Sequence, residues 1–166
     1  MTHPFREATI DLSAIAENAR HLRTLTGVQV IGVVKANAYG HGAPAVATAA
    51  LAGGATRLGT ATLEESFALR RAGITAPLVS WLHAPGQRFD DAVAAGIEVG
   101  ISSMEQLVAA SEAAPASVHL KVDTGLSRNG IPTEHLERVL AEAARPGAHR
   151  PHPHRRHLQP PLRGQP

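Results

Sequence analysis

The chain has no cysteine. Disulfides, thiolate nucleophiles and cysteine-bound zinc are therefore excluded together. No apolar run approaches the roughly 18 residues that a membrane span needs, so no membrane association is expected. The first residues, Met1-Thr2-His3-Pro4-Phe5-Arg6-Glu7, carry no basic flank leading into an apolar stretch. No signal peptide is read there, and a cytoplasmic protein is the expectation. Acidic residues are missing after residue 144. Residues 145–166 hold five arginines and no acid, whereas residues 1–144 hold 11 Lys+Arg against 14 Asp+Glu. The sequence pI of about 9.7 thus belongs to the tail. The body is mildly acidic and declares no basic patch, so no nucleic-acid partner is expected.

What is present is globular. The 166 residues are 43% hydrophobic and 18% charged, which excludes a wholly disordered chain and allows one domain with a core. Along the body, short β-branched runs alternate with alanine-rich helical stretches. Val28 to Val34 reads as a strand, Lys35 to Gly42 as a glycine-punctuated loop, and Ala43 to Ala52 as a helix stopped by Gly53-Gly54. Strands over 57–61, 77–82, 98–101 and 117–122 alternate with helices over 63–72, 89–95, 103–113 and 133–144, with Ser103 and Thr133 as N-cap candidates. Glu7 to Asp11 alternates like a further strand, and an amphipathic helix follows with Asp11 or Ser13 as its cap. Regular alternation at this pitch means parallel strands with right-handed crossovers. The fold class is α/β: a partial (β/α) TIM-type barrel of about five parallel βα units, since a complete barrel needs eight strands and about 250 residues. Residues 145–166 hold six prolines, five arginines and four histidines. They cannot bury a core and are expected to be a disordered basic tail. Its histidines lack carboxylate or cysteine support, so no metal site is assigned.

Lys35 stands where the buried run of residues 28–34 empties into the glycine-rich loop. At the C-terminal mouth of a barrel strand, partial desolvation favours the neutral, nucleophilic amine, which suits a Schiff base with a carbonyl. The alternative is a lysine that snorkels from the strand end. Tyr39, the only tyrosine, follows four residues later, and Gly40 and Gly42 lead into a helix N-terminus that could receive an anion or only make the turn. A second cluster, Lys121 to Gly130, again lies at a strand end. Its Arg128 could bind a carboxylate or a cofactor oxygen bidentately, or the cluster could be a salt-bridged loop.

The ten residues Val33-Val34-Lys35-Ala36-Asn37-Ala38-Tyr39-Gly40-His41-Gly42 resemble the pyridoxal-phosphate signature of bacterial alanine racemases. Glu7 to Leu12 with Asn18 resembles that family's opening strand and helix. Lys121 to Gly130 resembles its second signature, and Trp81 to Pro85 fits the region between. The resemblance covers about residues 5 to 144. It implies a pyridoxal 5'-phosphate-dependent amino-acid racemase that interconverts L- and D-alanine and so supplies a cell-wall precursor. By that resemblance Lys35 would hold the cofactor covalently and exchange the α-proton on one face. Tyr39 would lie near the cofactor phosphate. Arg128 would contact the cofactor's phenolic oxygen and the substrate carboxylate. Lys121 would be the lysine that is often carbamylated and orients that arginine. The family assembles as a homodimer. Its members continue through three more barrel strands and a C-terminal β-domain, which carry a second catalytic tyrosine and much of the phosphate cup. The sequence after Ala144 departs from the family and reads like translation of a GC-rich gene in a shifted frame. A truncated, impaired racemase is therefore expected. The alternatives are a non-catalytic cofactor-binding barrel fragment and, more remotely, a basic-tailed interaction protein.

Overall fold

The computed structural model describes residues 6–113 and 115–145. The tail reading for 146–166 lies outside the described residues. Five strands form one parallel sheet in sequential order: β1 (Ile31–Val33), β2 (Arg57–Thr60), β3 (Leu78–Ser80), β4 (Ile97–Ile101) and β5 (Val118–Leu120). Every crossover carries a helix, as parallel pairing demands. The partial barrel read from the sequence is the architecture observed. The register pairs Val33 with Gly59, Gly59 with Val79, Val79 with Glu98, and Gly100 with His119. Alternation along each strand then gives the sheet two faces. Leu58, Leu78, Val99 and Ile101 face the helices and are buried. Val33, Gly59, Glu98 and His119 share the other, concave face.

The helices begin and end for local reasons. In α1 (Leu12–Thr26) the Asp11 carboxylate accepts the Ala14 N–H, and Gly27 closes the helix at φ 67°. This helix packs along α3 (Ala43–Ala52) and over the Gly53-Gly54 turn. A Cβ on Gly53 would stand 2.2 Å from the Ala16 carbonyl oxygen, so glycine there permits the close approach. Between Thr62 and Glu65 a full capping box opens α4 (Leu63–Arg71). Its end is tied down by Arg70, whose guanidinium donates to the carbonyls of Ile74, Ala76, Ala95 and Gly96. Those bonds anchor the exit of α4 to the end of α5 (Asp90–Ala94). Ser103 caps α6 (Met104–Glu112) as expected, by accepting from Gln106 N–H.

Two local readings are corrected. Residues 7–11 form no strand, because alternation without a neighbouring strand leaves the backbone unpaired. Thr133 is not the cap of α7 (Thr133–Ala143). Pro132 occupies that position at φ −55° and ψ 143°, so Thr133 is already helical. Among the described residues no helix is long and apolar enough to cross a membrane.

Candidate active site

Residues one or two positions past the ends of four strands turn toward one place. Lys35, Ala61, Trp81 and Lys121 line a cleft of about 610 Å³, together with His119 and Arg128. This is the C-terminal end of a parallel sheet, where ligands of such folds bind. Lys35 and Lys121 are the only lysines in the chain, and both line this one cleft.

Lys35 opens α2 (Lys35–Tyr39), which is a single left-handed turn. Ala36, Asn37, Ala38 and Tyr39 all adopt φ between 51° and 55°. For residues with a Cβ this costs roughly 1–2 kcal/mol each. The turn survives because its ends are bonded. Ala36 N–H donates to Glu65 Oε1 at 2.7 Å, and Asn37 Oδ1 accepts from Ala43 N–H at 2.8 Å. That second bond fills the first donor of α3, so Gly40 and Gly42 serve the turn. Tyr39 is 71% exposed, with its ring centroid 5.7 Å from Lys35 Nζ. His41 is spent locally, with Nδ1 2.8 Å from the Ala38 carbonyl oxygen.

The second cluster is organised by its aspartate. Asp123 Oδ1 accepts from the N–H groups of Gly125 and Ser127 at 2.9 and 3.0 Å. Those bonds hold the Asp123 carboxyl below its ordinary value. Asp123 is thus committed to the loop backbone, with Lys121 as a charge neighbour, and Arg128 of the same loop lines the cleft. Gly130 closes the loop at φ 144°, where a Cβ would stand 2.7 Å from Asp123 N. Trp81 supplies an apolar surface. Its indole lies against Gly59 and Gly100, the two positions on the concave face without a side chain.

One ion cluster escaped the sequence reading. On the concave face Glu98 Oε1 accepts from Arg57 Nη2 at 2.9 Å, Arg57 Nε stands 2.9 Å from Oε2, and His119 Nε2 bonds the same Oε2. His119 thereby links this cluster to the cleft. Burial pushes the Glu98 carboxyl up, but the His119 and Arg57 bonds outweigh it and hold the group below its ordinary 4.5. The folded chain therefore binds fewer protons at Glu98 than the unfolded chain does. Its stability contribution is full above pH 4.5 and is lost as pH falls through the lowered folded value. Urea titrations of Glu98→Gln should show a loss of about 1–3 kcal/mol near neutrality and a shallower decline on acidification than the parent. An unchanged acid decline would assign that sensitivity to other carboxylates. Elsewhere, His83 packs edge-on to Phe89 at 4.9 Å, and burial pushes its imidazole below 6.5. It serves the β3 exit, with Nε2 3.1 Å from the Ser80 carbonyl oxygen.

The alanine racemase N-terminal domain matches residues 10–154. The chain belongs to that family. The matched stretch runs past Ala144, where the resemblance read from the sequence had ended. An alanine racemase of Mycobacterium ulcerans is 53% identical over 131 residues, spanning 75% of this chain and 34% of that protein. Alanine racemase from Corynebacterium glutamicum superposes with a TM-score of 0.76 at 39% identity, over 83% of this chain and 41% of that one. A histidine racemase from Leuconostoc mesenteroides does so with a TM-score of 0.68 at 33% identity, over 78% and 37%. The chain spans little more than a third of the length of the curated relatives it matches.

Proposed function

We propose that the cleft holds pyridoxal 5'-phosphate and acts on alanine, with Lys35 as the covalent anchor and the acid/base group of one face. The observation that carries this reading is the convergence of Lys35, Lys121 and Arg128 on one cleft at the strand ends, in a chain of this family. The residues fit the cofactor. Lys35 offers the amine for its aldehyde, Arg128 and Lys121 complement its anionic oxygens, and the Trp81 surface suits its planar ring. The volume lies within the range of small-molecule sites.

When bound, the cofactor supplies an electron sink that acidifies the α-hydrogen of an amino acid attached to it. The protein does the rest. Lys35, fixed at its backbone by the bond from Ala36 N–H, holds its amine at the cleft and carries a proton to and from one face. Arg128 binds the substrate carboxylate and the phenolic oxygen as a two-pronged donor. Lys121, directly after β5, orients the guanidinium, as a free amine or a carbamate. Tyr39 donates its hydroxyl to the phosphate. The family's homodimeric assembly is carried over as an expectation for this chain.

The second reading, a cofactor-binding fragment without turnover, is favoured by one observation. Tyr39 is the only tyrosine, so this chain offers no second tyrosine as the opposite acid/base group. A chiral assay separates the two. The chain with added cofactor should generate D-alanine from L-alanine above the level given by free cofactor, and Lys35→Ala should remove the excess. No excess from the parent chain would leave the second reading. The same assay with histidine tests the amino-acid preference.

A further inference from the structure

The most strained backbone of the cleft begins one residue after Lys35, in the left-handed run Ala36 to Tyr39. Strained segments of this kind persist where surrounding bonds over-determine them. Here the entry to the turn is held by one side chain from another element. Glu65, in the first turn of α4, uses both carboxylate oxygens. Oε1 accepts from Ala36 N–H at 2.7 Å, while Oε2 accepts from Ala61 N–H at 2.8 Å and from Thr62 N–H at 3.3 Å. It therefore ties the exit of β1 to the exit of β2. Lys35 and Ala61, on either side of this clamp, both line the cleft.

We propose that Glu65 is a positioning residue for Lys35: by gripping Ala36 N–H and the Ala61–Thr62 backbone together, it fixes where the lysine amine enters the cleft. The inference rests on the reading of Lys35 as the cofactor's anchor. The chemistry of the clamp requires a carboxylate. Three N–H donors converge on Glu65, and only an ionised carboxyl offers two acceptor oxygens with no donor. A glutamine would turn an NH₂ group toward one set of N–H donors and release either Ala36 or the Ala61–Thr62 pair. The helix-capping function of Thr62 is separable. Its hydroxyl accepts from Glu65 N–H at 3.4 Å and takes no part in the three carboxylate bonds.

The test compares Glu65→Gln and Glu65→Ala with Thr62→Ala, each in the full chain. The first measurement is amide hydrogen exchange over residues 36–39 without cofactor. The second is capture of pyridoxal phosphate. Its aldehyde condenses with the Lys35 amine and expels water, and borohydride then reduces the C=N bond to a stable amine that is located by peptide mass. The circular dichroism induced in the bound cofactor's absorption band reports its orientation. Both Glu65 variants should exchange the turn about tenfold faster or more, and should capture the cofactor about tenfold more slowly, with altered induced dichroism. Thr62→Ala should stay within about twofold of the parent in both, since it loses the cap bond and the hydroxyl's bond to Glu64 but none of the three bonds to the Glu65 carboxylate. Parent-like exchange and capture in the Glu65 variants would overturn the inference, as would equal losses in Thr62→Ala. If the parent chain itself leaves Lys35 unlabelled, the functional reading fails, and the exchange data still decide whether Glu65 holds the turn.

Discussion

Loaded with pyridoxal phosphate, the 166-residue chain should invert alanine about 10²–10⁴-fold more slowly than a full-length relative, the usual cost of losing one acid/base group. Inversion removes a proton from one face of the α-carbon and returns one to the other, so two groups on opposite sides are required. In the proposed reading Lys35 serves one side. Among the described residues, Lys121 is assigned to Arg128 in that reading, and the other titratable groups near Lys35 are bonded elsewhere or stand on its own side. Tyr39 stands beside Lys35, and His41 is bonded to the Ala38 carbonyl in the same turn. His119 is bonded to Glu98 on the sheet surface. The deficit should have a signature that general damage would lack. In deuterium oxide, one enantiomer of alanine should gain deuterium at the α-carbon with its configuration retained, faster than the other enantiomer does. Equal labelling of both enantiomers, with inversion at the rate of a full-length enzyme, would show that a second acid/base group is present.

Gly59→Ala should have the second largest effect. The new Cβ would lie 2.2 Å from Trp81 Cη2 and 2.7 Å from Cζ3. Gly59 has no positive φ, so the strain is purely steric. On its other side the indole has little room, because its Cδ1 edge lies over Gly100, where even a Cβ would stand 3.0 Å away. It must lift into the cleft between Lys35 and Lys121. Overpacking of this kind costs about 1–3 kcal/mol of stability. It should also lower cofactor affinity by about tenfold or more, since a displaced indole occupies the space of a planar ring. Trp81 is the only tryptophan, so its emission reports the displacement without interference. A red-shifted emission together with weakened binding is the expected result. Parent-like emission and affinity would mean that the sheet absorbs the methyl group elsewhere.

The strand and helix order was legible because each element depends on local pattern. The helix over residues 43–52 and the Asp11 and Ser103 caps are found where the sequence places them. The convergence of Lys35, Trp81, Lys121 and Arg128 was legible for a topological reason. Parallel strands joined by helices put every strand exit at the same end. What escaped depends on partners distant in sequence. Glu65 lies 29 residues from Ala36, and Glu98 lies 41 from Arg57 and 21 from His119. No periodicity connects such pairs. The left-handed turn was hidden for the same reason. Alanine and tyrosine have no local preference for φ near 52°, and the turn is held by bonds from Glu65 and Asn37. The Glu7–Asp11 misreading is the converse case, a pattern that lacked a strand to pair with.

If Lys35 is the cofactor's anchor, the cleft, and not the amine alone, selects it. The chain's lysine content makes a direct test possible, because Lys35 and Lys121 are the only two lysine amines and line the same cleft. The measurement is borohydride trapping of substoichiometric pyridoxal phosphate on the native chain, with the modified residue located by peptide mass. A single label on Lys35, lost in Lys35→Ala without transfer to Lys121, is the expected result. Labelling divided between the two lysines in the parent chain, or confined to Lys121, would contradict it.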